Sequence, residues 1–210
     1  MCRNLSHRIL TYNYLQLEFL HVNIAIIILL IEAELVIGTA PNNPILRLCA
    51  MSSTTASYYL GFLFLFSSVM TSLRYPLPFN MSSTPKGSPW RPALYAFVED
   101  FVSNEMRGEK VFRTQMNRRY ETSSMFRRMI VTLSWCWGVG CLIVAITTTV
   151  LVILLPETVV FGIGWGVPYL CFALMAMITV LFVKWSLRRE RLFWRGKVQD
   201  GSSSFERSVS

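Results

Sequence analysis

The sequence predicts an all-α membrane protein of four transmembrane helices with a partly helical cytoplasmic loop. Three observations carry that prediction. Apolar runs free of charged residues cover 51–73, 130–155 and 159–183. At a rise of about 1.5 Å per residue, each exceeds the roughly 20 residues that cross a hydrocarbon core. Of the 20 Lys and Arg residues, only Arg47 lies outside the segments that precede the first span, join the second to the third, and follow the fourth. The connection between the last two runs is only Pro156-Glu157-Thr158, which forces an antiparallel helical hairpin. Backbone in lipid must satisfy its own hydrogen bonds, so such runs are read as helices and not as open strands.

The elements follow in chain order. Residues 1–21 form a cytoplasmic N-terminal segment, and 22–73 hold the first pair of spans. The opening span, centred on 22–40, is rich in Ile and Leu but contains Glu32 and Glu34. Each carboxylate opposes insertion by about 3 kcal/mol if treated like Asp, against about 0.5 kcal/mol gained per strong apolar residue. These contributions nearly cancel, and sliding the span back to 14–31 draws in Glu18, His21 and Asn23. A helix is therefore expected, with its register open. Gly38 and Ala40 have the spacing of a signal cleavage site, but the long mixed leader and the interrupting carboxylates favour an uncleaved span.

Residues 74–128 are the one sizeable extramembrane element. Pro76, Pro78, Pro85 and Pro89 exclude a continuous helix from its first part. From Pro92 the pattern changes. Leu94, Phe97, Val98, Phe101 and Val102 recur at helical spacing with Glu99 and Asp100 off the stripe, and Phe112, Met116 and Tyr120 form a second stripe beyond Gly108. About 54 residues build little independent core, so two short helices are expected against the membrane surface or the cytoplasmic mouths of the spans. Residues 129–185 form the second hairpin. In it, Gly162 with Gly166, and Gly138 with Gly140, offer thin surfaces for close packing, and Pro168 is expected to kink the last helix. Residues 186–210 read as a basic and then disordered cytoplasmic tail.

The charge asymmetry places both termini in the cytoplasm. The net charge of +8 thus describes topology before it describes a partner. The sequons at Asn4 and Asn80 fall on the predicted cytoplasmic side, where glycosylation does not reach. The five cysteines, Cys2, Cys49, Cys136, Cys141 and Cys171, are odd in number and lack Cys-x-x-Cys spacing. They suggest neither a disulfide framework nor a zinc site.

The run from Pro85-Lys86-Gly87-Ser88-Pro89-Trp90-Arg91-Pro92 through Ala93-Leu94-Tyr95 is followed by Val98-Glu99-Asp100, Arg119-Tyr120-Glu121 and Met125-Phe126-Arg127-Arg128-Met129. Together with Trp137-Gly138-Val139, Gly164-Trp165-Gly166-Val167-Pro168 and Leu187-Arg188-Arg189-Glu190-Arg191, it resembles a family of uncharacterised multi-pass membrane proteins from filamentous fungi over roughly residues 45–195. The resemblance implies a membrane location and brings no activity, ligand or site. Relatives carry a glycine-rich acidic stretch after Val-Glu-Asp, where this chain has Ser103-Asn104-Glu105-Met106-Arg107-Gly108-Glu109.

Intramembrane ionisable groups are the first functional candidates, because a charge in lipid needs a partner or a water-filled path. Glu32, Glu34 and His21 qualify, with Glu18, His21 and Glu32 near one helical stripe; the structural alternative is an outer-interface position or pairing with Arg47. The basic tail supplies candidate anionic-lipid contacts in Arg188, Arg189, Arg191, Arg195 and Lys197, interleaved with aromatics, although topology alone also explains it. With two His residues, the chain does not build a histidine-rich di-iron site or a two-histidine haem site, and it carries no phosphate-binding glycine loop. No metal or cofactor is expected. The expected role is a non-enzymatic interaction or organising component, with the lipid bilayer, anionic lipids and an unknown protein as partners and no nucleic acid. A small transporter or channel component using an intramembrane carboxylate is the alternative.

Overall fold

The computed structural model describes residues 19–105 and 109–209, with side chains described for 19–103 and 111–192. Seven helices follow in order among these residues: α1 (Phe19–Thr39), α2 (Leu46–Ala50), α3 (Ser52–Ser72), α4 (Ala93–Glu105), α5 (Glu109–Thr122), α6 (Ser124–Leu154) and α7 (Glu157–Val209). Three of them are long and apolar enough to cross a membrane: α1, α6 and the Glu157–Leu192 part of α7. The chain is a helical membrane protein. Among the described residues α1 covers Phe19–Thr39 and includes His21, Glu32 and Glu34, and Pro168 sits inside α7 without ending it. The helix also runs through the serine-rich stretch that composition reads as disordered.

Helix α3 explains why a sequence of alternating Ser and aromatic residues belongs in the bundle. It is uncharged, 21 residues long, and buries Ser52, Ser53, Thr54, Ser57, Ser67 and Ser68. Most of its hydroxyls are bonded, Thr54 Oγ1 being buried without a partner among the described residues: Ser57, Ser68, Thr71 and Ser72 donate to carbonyls of the preceding turn. Ser68 also reaches Ser134 of α6 at 2.9 Å, and Ser53 donates to the Gly164 carbonyl of α7. Such bonds hold helices together where lipid offers no competing partner.

The helices alternate in direction. At one end, the N-terminus of α1, the C-terminus of α3 and the N-terminus of α6 meet α4 and α5, and Glu190 of α7 joins them. At the other end, α2 packs on the α6–α7 turn in a cluster of Ala50, Val152 and Val160 with Met51 and Leu155.

Glycines set the closest approaches, at one of the two pairs that the spacing singles out and not at the other. Gly162 and Gly166 face open space, whereas Gly138 and Gly140 are both at close contacts. A Cβ on Gly138 would come within 2.8 Å of Leu65 Cγ and 3.1 Å of Leu65 N, so α6 meets α3 there. A Cβ on Gly61 would meet Leu142 Cγ at 2.9 Å, and one on Gly164 would meet the Ala50 carbonyl carbon at 2.9 Å. Gly140 alone of the expected residues faces the hairpin partner, at Met175.

The 73–92 connection folds back on itself. Leu77 N donates to Ser88 O at 2.8 Å and Trp90 N to Tyr75 O at 3.0 Å, while Met81 and Thr84 exchange backbone bonds around a tight turn. Leu77 and Met81 are buried with Ala96 beneath Phe19 and Trp90. The lobe then delivers Ala93 to α3, where its N–H donates to Ser67 Oγ at 3.0 Å.

Candidate functional site

Helix α4 presents the face opposite to the one its apolar stripe predicts. Glu99 and Asp100 are both fully buried, as are Ala93, Ala96 and Ser103, whereas Val98 and Phe101 of the apolar stripe are 36% and 62% exposed. Residues 93, 96, 99, 100 and 103 share one helix face. The stripe is shared between two environments: Leu94 packs on the core around Tyr95, and Phe97 meets Phe19 and Phe64 edge to face. The remainder points outward.

The buried carboxylates are met from three elements. Asp100 accepts from Arg113 of α5 at 2.9 Å and from the backbone N–H of Leu20 in α1 at 3.1 Å. It also accepts from the hydroxyl of Ser82 in the lobe. Ser82 holds a left-handed backbone (φ 49°) at that point, a local strain that the surrounding contacts must hold. Arg113 in turn donates to Ser82 Oγ at 2.6 Å. Glu99 stands 3.8 Å from Arg113, and neither of its oxygens has a hydrogen bond among the described residues. Burial raises its pKa above the ordinary carboxylate value, and Asp100 adds to the rise; the nearby Ser83 hydroxyl and the Arg113 and Arg91 guanidiniums offset only part of it.

A second set of bonds continues from this pair. Asn117, one helical turn from Arg113, accepts at Oδ1 from Arg91 and from Tyr95 Oη at 2.6 Å, and donates to Ser83 at 2.9 Å. The Arg91 guanidinium lies 5.1 Å from the centres of both the Tyr95 and Tyr120 rings and 3.5 Å from Glu121. Burial raises the pKa of both phenols. Beside this set, Arg119 donates to Glu190 of α7 at 2.6 Å, and Glu190 accepts from Ser123 at 2.7 Å. Ser123 also caps α6 by accepting from Phe126 N. One polar cap therefore ties the ends of α1, α3 and α6 to the Glu190 turn of α7.

The residues singled out by sequence are not brought together. His21 and Glu32 lie on the exposed side of α1. Glu34 is half-buried towards α3, with Oε2 lacking a hydrogen bond among the described residues. Glu18 and the side chains of Arg195 and Lys197 lie outside the described residues. Arg188, Arg189 and Arg191 are exposed, with Arg189 4.5 Å over the Trp185 ring. Among the described residues Arg47 pairs with neither Glu32 nor Glu34. It caps the last turn of α6, donating to the carbonyls of Val152 at 3.2 Å, Ile153, and Leu155 at 3.3 Å, and faces Glu157 at 3.9 Å.

Sequence reasoning missed Arg113, Asn117, Arg91, Ser82 and Glu190. The spacings Arg113–Asn117 and Arg91–Tyr95 place each pair on one side of a turn, but nothing in the spacing says that the side is inward.

A domain family model matches residues 3–194. The chain belongs to this family, DUF8766. The DUF8766 match covers the whole bundle and cap, and its description is a domain of unknown function. No curated protein and no solved structure matches the chain.

Proposed function

We propose that the protein is a four-span membrane protein with cytoplasmic termini that serves as a non-enzymatic organising component. The fourth span is α3. It is uncharged and 21 residues long, and it lies alongside α6 from Tyr58 against Thr149 to Ser68 against Ser134, which supports reading it as a further span. The basic residues Arg118, Arg127 and Arg128 of the cap, with Arg188, Arg189 and Arg191 of α7, are exposed at one end. That agrees with a cytoplasmic cap touching anionic headgroups.

The observation that carries the organising role is the cap. Its charged and polar side chains are used in locking three helix ends and the Glu190 turn of α7 to one another, which yields a rigid platform for a protein partner. The test is blue-native electrophoresis of membranes containing the full chain. A complex larger than the protein itself is expected, reduced by charge reversal at exposed Arg118, Arg127 and Arg128 and unchanged in Glu32→Gln and Glu34→Gln. Migration at the mass of the chain alone in every case overturns the reading.

The unpartnered Glu34 oxygen favours a second reading, transport through an intramembrane carboxylate. Proton flux in liposomes that is lost in Glu34→Gln would establish it in place of the first.

A further inference from the structure

We infer that α4 is immersed in the cytoplasmic leaflet, with the Val98–Phe101 edge in contact with lipid acyl chains. This rests on the membrane reading above and adds a lipid-facing surface that is not one of the spans.

The first argument is polarity. A helix at a water-exposed surface hides its apolar stripe and shows its charges. Over 93–103, α4 does the reverse: Glu99 and Asp100 are 0% exposed while Phe101 is 62% exposed. Both carboxylates are turned towards Arg113, with Arg91 nearby. In water this arrangement exposes an aromatic ring and buries two charges. In hydrocarbon each choice reverses sign, because the carboxylates need protein partners and the ring needs none.

The second argument is depth. The lobe carries the chain back down α3, so that Ala93 bonds to Ser67 and Phe97 packs on Phe64, at 5.5 Å between ring centres. Those residues precede the end of α3 at Ser72 by five and eight positions, about 8 and 12 Å along the axis. Tyr95 likewise packs in the cluster that holds Ile130 and Leu133 of α6, with Phe182 of α7 against it. Helix α4 therefore lies alongside the last turns of the spans and not above them.

The third argument is continuity. Phe66 of α3, itself 51% exposed, contacts Trp90 edge to face, and Trp90 contacts Phe79 in the same way. Leu73, Tyr75 and Phe79 are all exposed. Exposed apolar side chains thus continue from the outer face of α3 onto the lobe, with aromatic rings of the kind that sit at headgroup level.

The full chain in nanodiscs containing a phospholipid with a diazirine in its acyl chain provides the test, with hydroxyl-radical footprinting of the same particles as the second readout. Carbene adducts are expected on Val98 or Phe101 at a yield within a few-fold of those on Phe62 and Ile143 of α3 and α6, together with protection of Phe101 from oxidation. Oxidation without adducts places the edge in water and overturns the inference. Absence of both assigns the edge to a protein contact and also overturns it. Absence of adducts from Phe62 and Ile143 instead removes the membrane reading on which the inference stands.

Discussion

The two ends of the bundle are held by different physics. At the cap end, α1, α6 and α7 are joined to α4 and α5 through buried or half-buried charges, Asp100 and Glu99 with Arg113 and Glu190 with Arg119, and α3 through the Ala93 N–H bond to Ser67. At the other end the backbone itself is in contact, with Gly164 against Ala50 and Gly38 against Cys49, and a single cation, Arg47, closing the α6 terminus. Charge networks need every member, since a lone buried ion is costly. Close backbone packing needs only the absence of a side chain. The cap should therefore respond to loss of a partner and the opposite end to gain of an atom.

The strongest test of this contrast is Arg113→Met. It leaves two fully buried carboxylates without their cation and should destabilise by about 3–5 kcal/mol, read as loss of reversible unfolding signal in detergent. Arg113→Lys keeps the charge and should recover part of it. Gly164→Ala should come next, at about 1–3 kcal/mol for overpacking against backbone that has nowhere to move. If the first of these is milder than the second, the cap is held by its apolar cluster and the contrast fails.

Arg47→Met should lose about 1 kcal/mol by the same assay, less than a buried charged hydrogen bond because the side chain is 40% exposed. Glu99→Gln separates charge from shape. With its folded pKa raised, the Glu99 carboxyl supports stability below the ordinary carboxylate range and loses that support as pH rises through the folded value. Thermal midpoints of the Gln variant should thus gain on the native protein as pH increases from 4 to 8; a constant difference would show that Glu99 does not change its charge in that window. Gly162→Ala should change stability by no more than about 0.5 kcal/mol, since its Cβ enters open space.

Much of the fold is legible in the sequence, for a physical reason that also sets its limit. Charge is expensive in hydrocarbon wherever it sits, so uncharged runs announce helices without knowledge of their neighbours, and Pro156 announces the hairpin. The bounds of α4 and α5 follow from Pro92 and the stripes around Gly108. Which face of a helix points inward is not so marked. In α4 the stripe of Leu94, Phe97, Val98, Phe101 and Val102 marks a helix correctly, but that Val98 and Phe101 point outward while Glu99 and Asp100 are buried is not written in the spacing. Ser-rich α3 instead buries Ser52, Ser53, Ser57, Ser67 and Ser68, with Ser57 and Ser68 bonded to the previous turn, Ser68 to α6 and Ser53 to α7.

The small-residue spacing teaches the same lesson. Gly162 and Gly166 match the pattern and meet nothing, while Gly61, Gly38 and Gly164, spaced without a motif, are where backbones touch. Local sequence determined that this chain is helical and which of its runs are uncharged and long enough to span a membrane, because those depend on transfer energies and backbone bonding within one segment; it left the register of the first span open and did not foresee that α7 continues to Val209. Tertiary structure alone decided that Asp100 meets Leu20, that Arg113 lies beside Glu99, and that Arg47 closes α6, because each depends on bringing together residues 14 to 108 positions apart.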